Sequence, residues 1–208
     1  MRWIDSKDGV FSVKSLYRAL QPVSLASFPS KIIWNSCAQP KLSFFAWEAS
    51  WGRVLTLDRL QKRGWALANR CFLCQTFEES IDHLLLHCEK TVWMLLLSLF
   101  GVTWVFPSSV KETLLGWRGS FVGTKRKKVW QEGPLRLFWV IWKVRNRIAF
   151  EDSVLSIQRL KASFVYLLWS ETKLWIKDGP STLIDFVDCG FAMREKVFCF
   201  SLLFWVLL

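Results

Sequence analysis

Three cysteines and one histidine lie close together in the chain at a spacing typical of zinc ligands. Two residues separate Cys71 from Cys74, eight separate Cys74 from His83, and four separate His83 from Cys88. Zinc takes four nitrogen and sulfur ligands in a tetrahedron, and two thiolates from one tight turn reach the same ion. Metal binding also contributes folding free energy to a small domain. The pattern therefore predicts a Zn²⁺ site.

The fourth ligand is ambiguous from the residues alone. His83 and His87 are spaced i, i+4, which places both on one face of a helix, so His87 is an alternative to Cys88. A further alternative is that the three cysteines are small buried apolar residues and that His83 is an ordinary helix histidine. The remaining cysteines, Cys37, Cys189 and Cys199, are scattered and show no ligand spacing.

Cysteine usage and the start of the chain favour a reducing compartment. The first ten residues are polar and do not form the apolar segment of a secretory signal. Clustered cysteines in an intracellular protein indicate metal more often than disulfide. We therefore expect the protein in the nucleus or the cytoplasm.

The charge predicts an acidic partner. The chain has 28 Lys and Arg against 17 Asp and Glu, a net charge of +11, and basic clusters neutralise phosphates. RNA or DNA is the expected partner, and the alternative is a solvated helical surface. One basic cluster precedes and adjoins the zinc motif: Arg53, Arg59, Lys62, Arg63 and Arg70. The second lies later: Lys125, Arg126, Lys127, Lys128, Arg136, Lys143, Arg145 and Arg147.

Catalytic motifs are missing from the sequence. No Ser/His/Asp set, Cys/His nucleophile pair or phosphate-binding Gly loop rises above chance. A polymerase needs adjacent carboxylates for two metal ions, and neither Tyr17 nor Tyr166 begins a Tyr-x-Asp-Asp turn. We predict no enzyme activity and no small-molecule substrate.

Helical patterns cover the first half of the chain. Ser12 is placed to cap VKSLYRAL, and LSFFAWEASW after Pro40 predicts a buried helix. Thr56 is placed to cap LDRLQKR, which Gly64 ends. A helix from Ser80 is predicted to run through the second half of the zinc motif to Leu99, with Gly101 as its stop.

The second half of the chain is also predicted to be helical. Ser108 or Ser109 caps a helix to Trp117, and a longer helix opens at Lys125 and is interrupted at Gly133-Pro134, where proline removes a donor. A last helix follows Ser156. No set of alternating strands is evident. The predicted fold class is all-α, a small helical domain around a CCHC zinc knuckle followed by a helical C-terminal extension.

The last twelve residues, VFCFSLLFWVLL, are apolar throughout. This run is well short of the roughly 20 residues that span a bilayer. We expect a buried or sticky tail and no membrane partner.

Longer phrases around the zinc motif resemble a known family. GVFSVKSLYRAL, FPSKIIWN, PKLSFFAWEASWGRVLTLDRLQKRGW and NRCFLCQTFEESIDHLLLHC are similar, in order and spacing, to the reverse transcriptase zinc-binding domain of plant LINE-type (non-LTR) retrotransposons. The later phrase GWRGSFVGTKRKKVWQEGPLRLFWVIWKVRNRIAFE resembles the segment that commonly follows this domain. The resemblance implies the ligand set Cys71, Cys74, His83 and Cys88, with His87 as a neighbour.

The resemblance also predicts the organisation and role of the chain. It implies a zinc-binding domain at 9–100, a helical basic extension at 101–182 and a divergent hydrophobic tail at 183–208. The chain then looks like a module detached from a larger element, with the parent reverse transcriptase domain as a further partner. The alternative is a structural remnant that packed against the polymerase and has no independent binding function.

Overall fold

The computed structural model describes residues 10–13, 15–16, 28–35, 38–117, 124–175 and 182–185. These residues form an all-α fold that contains no strand, as the sequence predicted. The helices are α1 (Ser30–Ile33), α2 (Pro40–Ser50), α3 (Leu57–Lys62), a π-helix (His83–His87), α4 (Trp93–Phe100), α5 (Val110–Gly116), α6 (Thr124–Phe150) and α7 (Ile157–Trp175).

The predicted start signals hold in most of the described helices. Proline at the first position of α2 loses no hydrogen bond there, because the first N–H groups of a helix have no partner within it. Ser109 caps α5 by accepting the Glu112 N–H at 3.2 Å. Thr56 sits at the N-cap of α3, but its hydroxyl is directed to the Val54 carbonyl and to Asp58 and does not cap the backbone.

The helix predicted after Ser12 is described only at its first turn. The Ser12 hydroxyl accepts the Ser15 N–H at 3.1 Å, and the Leu16 N–H donates to the Ser12 carbonyl at 3.0 Å. Both contacts are those of an N-cap. The remainder of that predicted helix lies outside the described residues.

The helix predicted from Ser80 to Leu99 is not continuous. The π-helix ends at Cys88, which is extended with ψ of 126°, and α4 begins at Trp93. Gly101 does end α4, in the left-handed region with φ of 64°. Apolar residues recur at helical spacing through both the π-helix and α4, so the sequence pattern did not indicate the break between them.

The interruption predicted at Gly133-Pro134 is wrong. Helix α6 continues through both residues, and Pro134 is buried. A Cβ on Gly133 would lie 2.8 Å from Leu96 Cδ1, so the glycine lets α6 pack closely on α4. The close packing of α6 on α4 at this point thus offsets the cost of the lost donor.

Aromatic side chains from separate helices form the centre of the core. The Trp117 and Trp130 rings stack with centroids 4.1 Å apart, and Trp93 contacts both Trp117 and Phe138 at 5.7 Å. The Trp117 indole N–H donates to the Trp130 carbonyl at 2.8 Å, so burial leaves this donor paired. This packing brings three of the 14 tryptophans together in the core.

The core joins the segments that were predicted to be separate. Leu84, Leu96, Phe138 and Phe164 belong to one buried cluster, although a boundary was predicted at residue 100. The division at 100 and 182 stays a prediction. Among the described helices, none is both long and apolar enough to cross a membrane.

Candidate metal centre

A tight turn holds the first two cysteines. The Cys71 N–H donates to the Phe77 carbonyl at 2.8 Å, and the Gln75 N–H donates to the Cys71 carbonyl at 2.9 Å. Gln75 has φ of 57°, a left-handed conformation that reverses the chain directly after Cys74. The Thr76 hydroxyl donates to the Cys74 carbonyl at 2.9 Å. These contacts therefore order the backbone of the turn that holds both cysteines.

The π-helix positions the other two side chains. Ser80 accepts the His83 N–H on its hydroxyl at 3.1 Å and the Leu84 N–H on its carbonyl at 2.9 Å, which starts the turn. The Cys88 N–H then donates to the His83 carbonyl at 2.7 Å, an i to i+5 bond that is wider than an α-helical one. This wider turn brings residues 83 and 88 to the same side of the backbone.

The four predicted ligand atoms come together. The Sγ atoms of Cys71 and Cys88 lie 4.0 Å apart, and Cys74 Sγ lies 3.4 Å from His83 Nε2. All four atoms are within 4.8 Å of one another. A tetrahedral zinc with Zn–S bonds of about 2.3 Å needs ligand separations of roughly 3.5 to 3.8 Å. The cluster therefore fits zinc with small adjustments.

The structure places the two candidates for the fourth position in different surroundings. Cys88 is 2% exposed and belongs to the cluster, whereas His87 is exposed and does not. An α-helix through residues 83–88 would favour His87, but the π-helix favours Cys88. The ligand set given by the resemblance is therefore the set that the geometry gathers.

The close approach of the Cys71 and Cys88 sulfurs, 4.0 Å apart, couples the ionisation of the two thiols. The hydrogen bond between the two thiols lowers the pKa of Cys71 to about 5. The same contact, with burial, raises the pKa of Cys88 well above its usual range. A dication bound between these sulfurs would favour the thiolate form of both, which is the chemistry that this donor set offers.

Comparison with known families agrees with this geometry. Residues 11–93 match the family model described as zinc-binding in reverse transcriptase. Over these residues the chain is similar to that family. Comparison with curated proteins and with solved structures gave no match. The reverse-transcriptase zinc-binding domain is an accessory, non-catalytic region, and it accounts for the Cys/His cluster.

A buried ion pair between Glu79 and Arg145 lies next to the C-x2-C turn. Glu79 is fully buried, and Arg145 on α6 donates to its carboxylate from Nη2 at 2.6 Å and from Nε at 3.1 Å. The same carboxylate accepts the N–H of Leu57 at 3.1 Å and of Phe72 at 3.3 Å. One carboxylate therefore ties α3 and the C-x2-C turn to α6.

The Arg145 guanidinium is also enclosed by aromatic rings. It lies 4.6 Å from the Phe72 ring centroid and 5.1 Å from the Trp142 ring. The expectation that Arg145 belongs to an exposed basic cluster is therefore wrong. Arg136 is buried too, and it pairs with Glu132 one turn earlier on α6. Both arginines face the core because each has a buried carboxylate partner.

The other predicted basic residues surround the domain. Arg53, Lys62, Arg63 and Arg70 are exposed and Arg59 is half-buried. Lys62 pairs with Asp58 at 3.0 Å. In the second cluster, Lys127, Lys128, Lys143 and Arg147 are exposed. The side chains of Lys125 and Arg126 lie outside the described residues.

Sequence reasoning missed Glu79 as a structural residue. It is one of two adjacent glutamates, Glu78 and Glu79, and Glu78 is exposed whereas Glu79 is buried. The Asn69 side chain accepts the Glu79 N–H at 2.8 Å, which fixes its backbone next to the zinc-binding turn. No periodicity in this loop distinguishes the two glutamates. Their roles depend on Arg145, 66 residues later.

Proposed function

We propose that this protein is a zinc-dependent nucleic-acid-binding module of a retrotransposon reverse transcriptase, of plant LINE origin, with no polymerase activity of its own. Zn²⁺ is held by Cys71, Cys74, His83 and Cys88. The ion supplies cross-linking of the turn to the π-helix and has no part in a reaction. The module acts in the nucleus or the cytoplasm on RNA or DNA.

The observation that carries the proposal is a metal-ligand cluster in a domain with exposed cations. Arg63 and Arg70 lie on the short connection between α3 and Cys71, and both are exposed. A metal that fixes Cys71 therefore also fixes the end of this basic segment, next to Arg70. Cations held in place lose less conformational entropy when they bind phosphates than mobile ones do.

A structural remnant is the second candidate. Several large apolar side chains are exposed, including Trp65 at 62% and Phe77 at 60%. Such a surface is typical of contact with a larger protein, and the parent polymerase is the partner that this candidate names. It predicts no binding of nucleic acid by the isolated chain.

Fluorescence anisotropy with the zinc-loaded chain and labelled RNA and DNA separates the two candidates. We expect binding at low salt that falls steeply as salt rises, because bound phosphates release counterions. The double substitution Arg63→Gln, Arg70→Gln should weaken binding and reduce the salt slope by about one to two units.

The matched control is Arg159→Gln, which removes an exposed cation of α7 outside the predicted clusters. Arg159→Gln should weaken nucleic-acid binding less than Arg63→Gln or Arg70→Gln alone. Absence of binding at low salt in metal-loaded protein would reject nucleic-acid binding and favour the remnant.

A further inference from the structure

Helix α2 carries aromatic side chains on the side opposite its buried face. Phe45, Ala46 and Ala49 face the core, whereas Phe44 is 57% exposed and Trp51 is 38% exposed. Trp47 lies between these two and is half-buried. Its ring centroid is 5.4 Å from that of Phe44. The three rings follow helical spacing on one side of α2 and its C-cap, and they are here called the aromatic face.

Cations from three parts of the chain adjoin the aromatic face. The Arg53 guanidinium lies 5.6 Å from the Trp47 centroid, and the Lys111 ammonium of α5 lies 5.2 Å from that of Trp51. Lys41 is exposed one turn before Phe44 on the same helix. Glu48 is a carboxylate on this side of α2, so the described charges near the rings are predominantly positive.

We propose that the aromatic face binds unpaired bases of single-stranded nucleic acid, with Phe44 as the principal stacking ring and Arg53, Lys111 and Lys41 as phosphate contacts. This inference rests on the proposed function. It adds that the aromatic face is the binding surface and that the bound nucleic acid is single-stranded. Neither Phe44 nor Lys111 belongs to the basic clusters around the zinc motif.

Ring geometry identifies Phe44 as the principal contact. Phe28 already stacks on Trp51, with centroids 5.8 Å apart and planes 9° apart, so that ring has less surface to offer. Trp47 is covered in part by Arg53. Phe44 is the most exposed of the three, and a base placed on it lies near the cation on Trp47.

The chemistry favours a nucleic acid over an apolar protein surface. An apolar partner would bury the cations that adjoin the rings, and uncompensated burial of charge is costly. A single strand supplies a flat base for each ring and a phosphate for each neighbouring cation, which is how sequence-tolerant single-strand sites work. Duplex DNA has its bases stacked internally and offers the phosphates alone.

The test compares two labelled single strands of equal length and charge, one with bases and one with abasic sites. Anisotropy titrations use the zinc-loaded full chain. Phe44→Ala should weaken binding of the strand with bases about tenfold, the usual loss for one stacked base, and change binding of the abasic strand less than twofold. Phe44→Tyr should restore wild-type affinity, since it keeps the ring.

The control is Phe150→Ala, because Phe150 is 78% exposed at the end of α6 and away from the aromatic face. It should affect neither strand. Equal losses for both strands in Phe44→Ala, or no loss for either, overturn the stacking inference while leaving charge-driven binding in place. Failure of the wild-type protein to bind either strand at low salt overturns the proposed function together with this inference.

Discussion

Among single residues, Glu79 and Arg145 connect the metal centre to the rest of the protein. Their side chains are at most 3% exposed, and the Glu79 carboxylate also accepts two backbone N–H groups. A buried ion pair is costly to desolvate, so its net effect on stability is small while both partners are present. Removal of one partner has a large effect, because the other charge is left buried without compensation.

We expect Glu79→Gln to lower the free energy of unfolding by about 3 to 5 kcal/mol, the range for breaking a buried pair. Urea denaturation of the zinc-loaded chain measures it. The matched control is Glu89→Gln, since Glu89 pairs with Lys90 at 2.8 Å on the exposed surface, and it should change the unfolding midpoint little. Equal midpoints for Glu79→Gln and the wild-type protein would contradict the role assigned to this pair.

The candidate metal ligands could be found from the sequence because their spacing is local. Two residues separate Cys71 from Cys74 in one turn, and this spacing lets both thiolates reach the same metal ion. The choice between His87 and Cys88 was beyond pattern reasoning alone, because it depends on a π-helical turn. The resemblance to a family supplied that choice, and the geometry gathers the same residues.

At the scale of elements, the π-helix explains why the metal motif has four residues between His83 and Cys88. An α-helix would place residue 87 beneath residue 83, whereas the i to i+5 bond places residue 88 there. The widened turn leaves the Leu85 carbonyl available, and the Trp93 indole N–H donates to it at 2.7 Å. The first residue of α4 thus stabilises the irregular turn that holds two of the candidate ligands.

Helices α4 and α6 approach closely at Gly133. We expect Gly133→Ala to destabilise the protein by about 1 kcal/mol, because crowding against fully buried Leu96 costs about 1 to 3 kcal/mol and exceeds the helix propensity gained. Thermal unfolding measures the change.

Gly116→Ala is the control, since a Cβ there meets Trp104 at an ordinary 3.5 Å. It should be neutral or slightly stabilising. A higher melting temperature for Gly133→Ala than for the wild-type protein would show that α4 and α6 do not need this glycine.

Helix positions were largely predictable and helix continuity was not. Start signals such as Pro40 and Ser109, and the stop signal Gly101, act within a few residues, so they are visible in the sequence. The break at Cys88 and the continuity at Pro134 depend on contacts with residues far along the chain. Tertiary packing overrides local preference at both places.

For the whole molecule, one core links the zinc-binding domain with the helices that follow it. Trp93 at the end of the family match packs on Trp117 and Phe138 beyond it. Phe45 of α2 likewise contacts Trp139 and Trp142 of α6. Removing α6 would expose these rings. The packing of α6 therefore stabilises the same domain that contains the candidate metal ligands.

The central claim is that Cys71, Cys74, His83 and Cys88 hold one metal ion. Titration of the metal-free full chain with Co²⁺ under reducing conditions tests it most directly, because thiolate-to-cobalt charge transfer reports the number of sulfur ligands. We predict saturation at about one equivalent with a band that persists in His87→Ala and falls in Cys88→Ser. Absence of the band in the wild-type chain, or its loss in His87→Ala with retention in Cys88→Ser, would contradict the account.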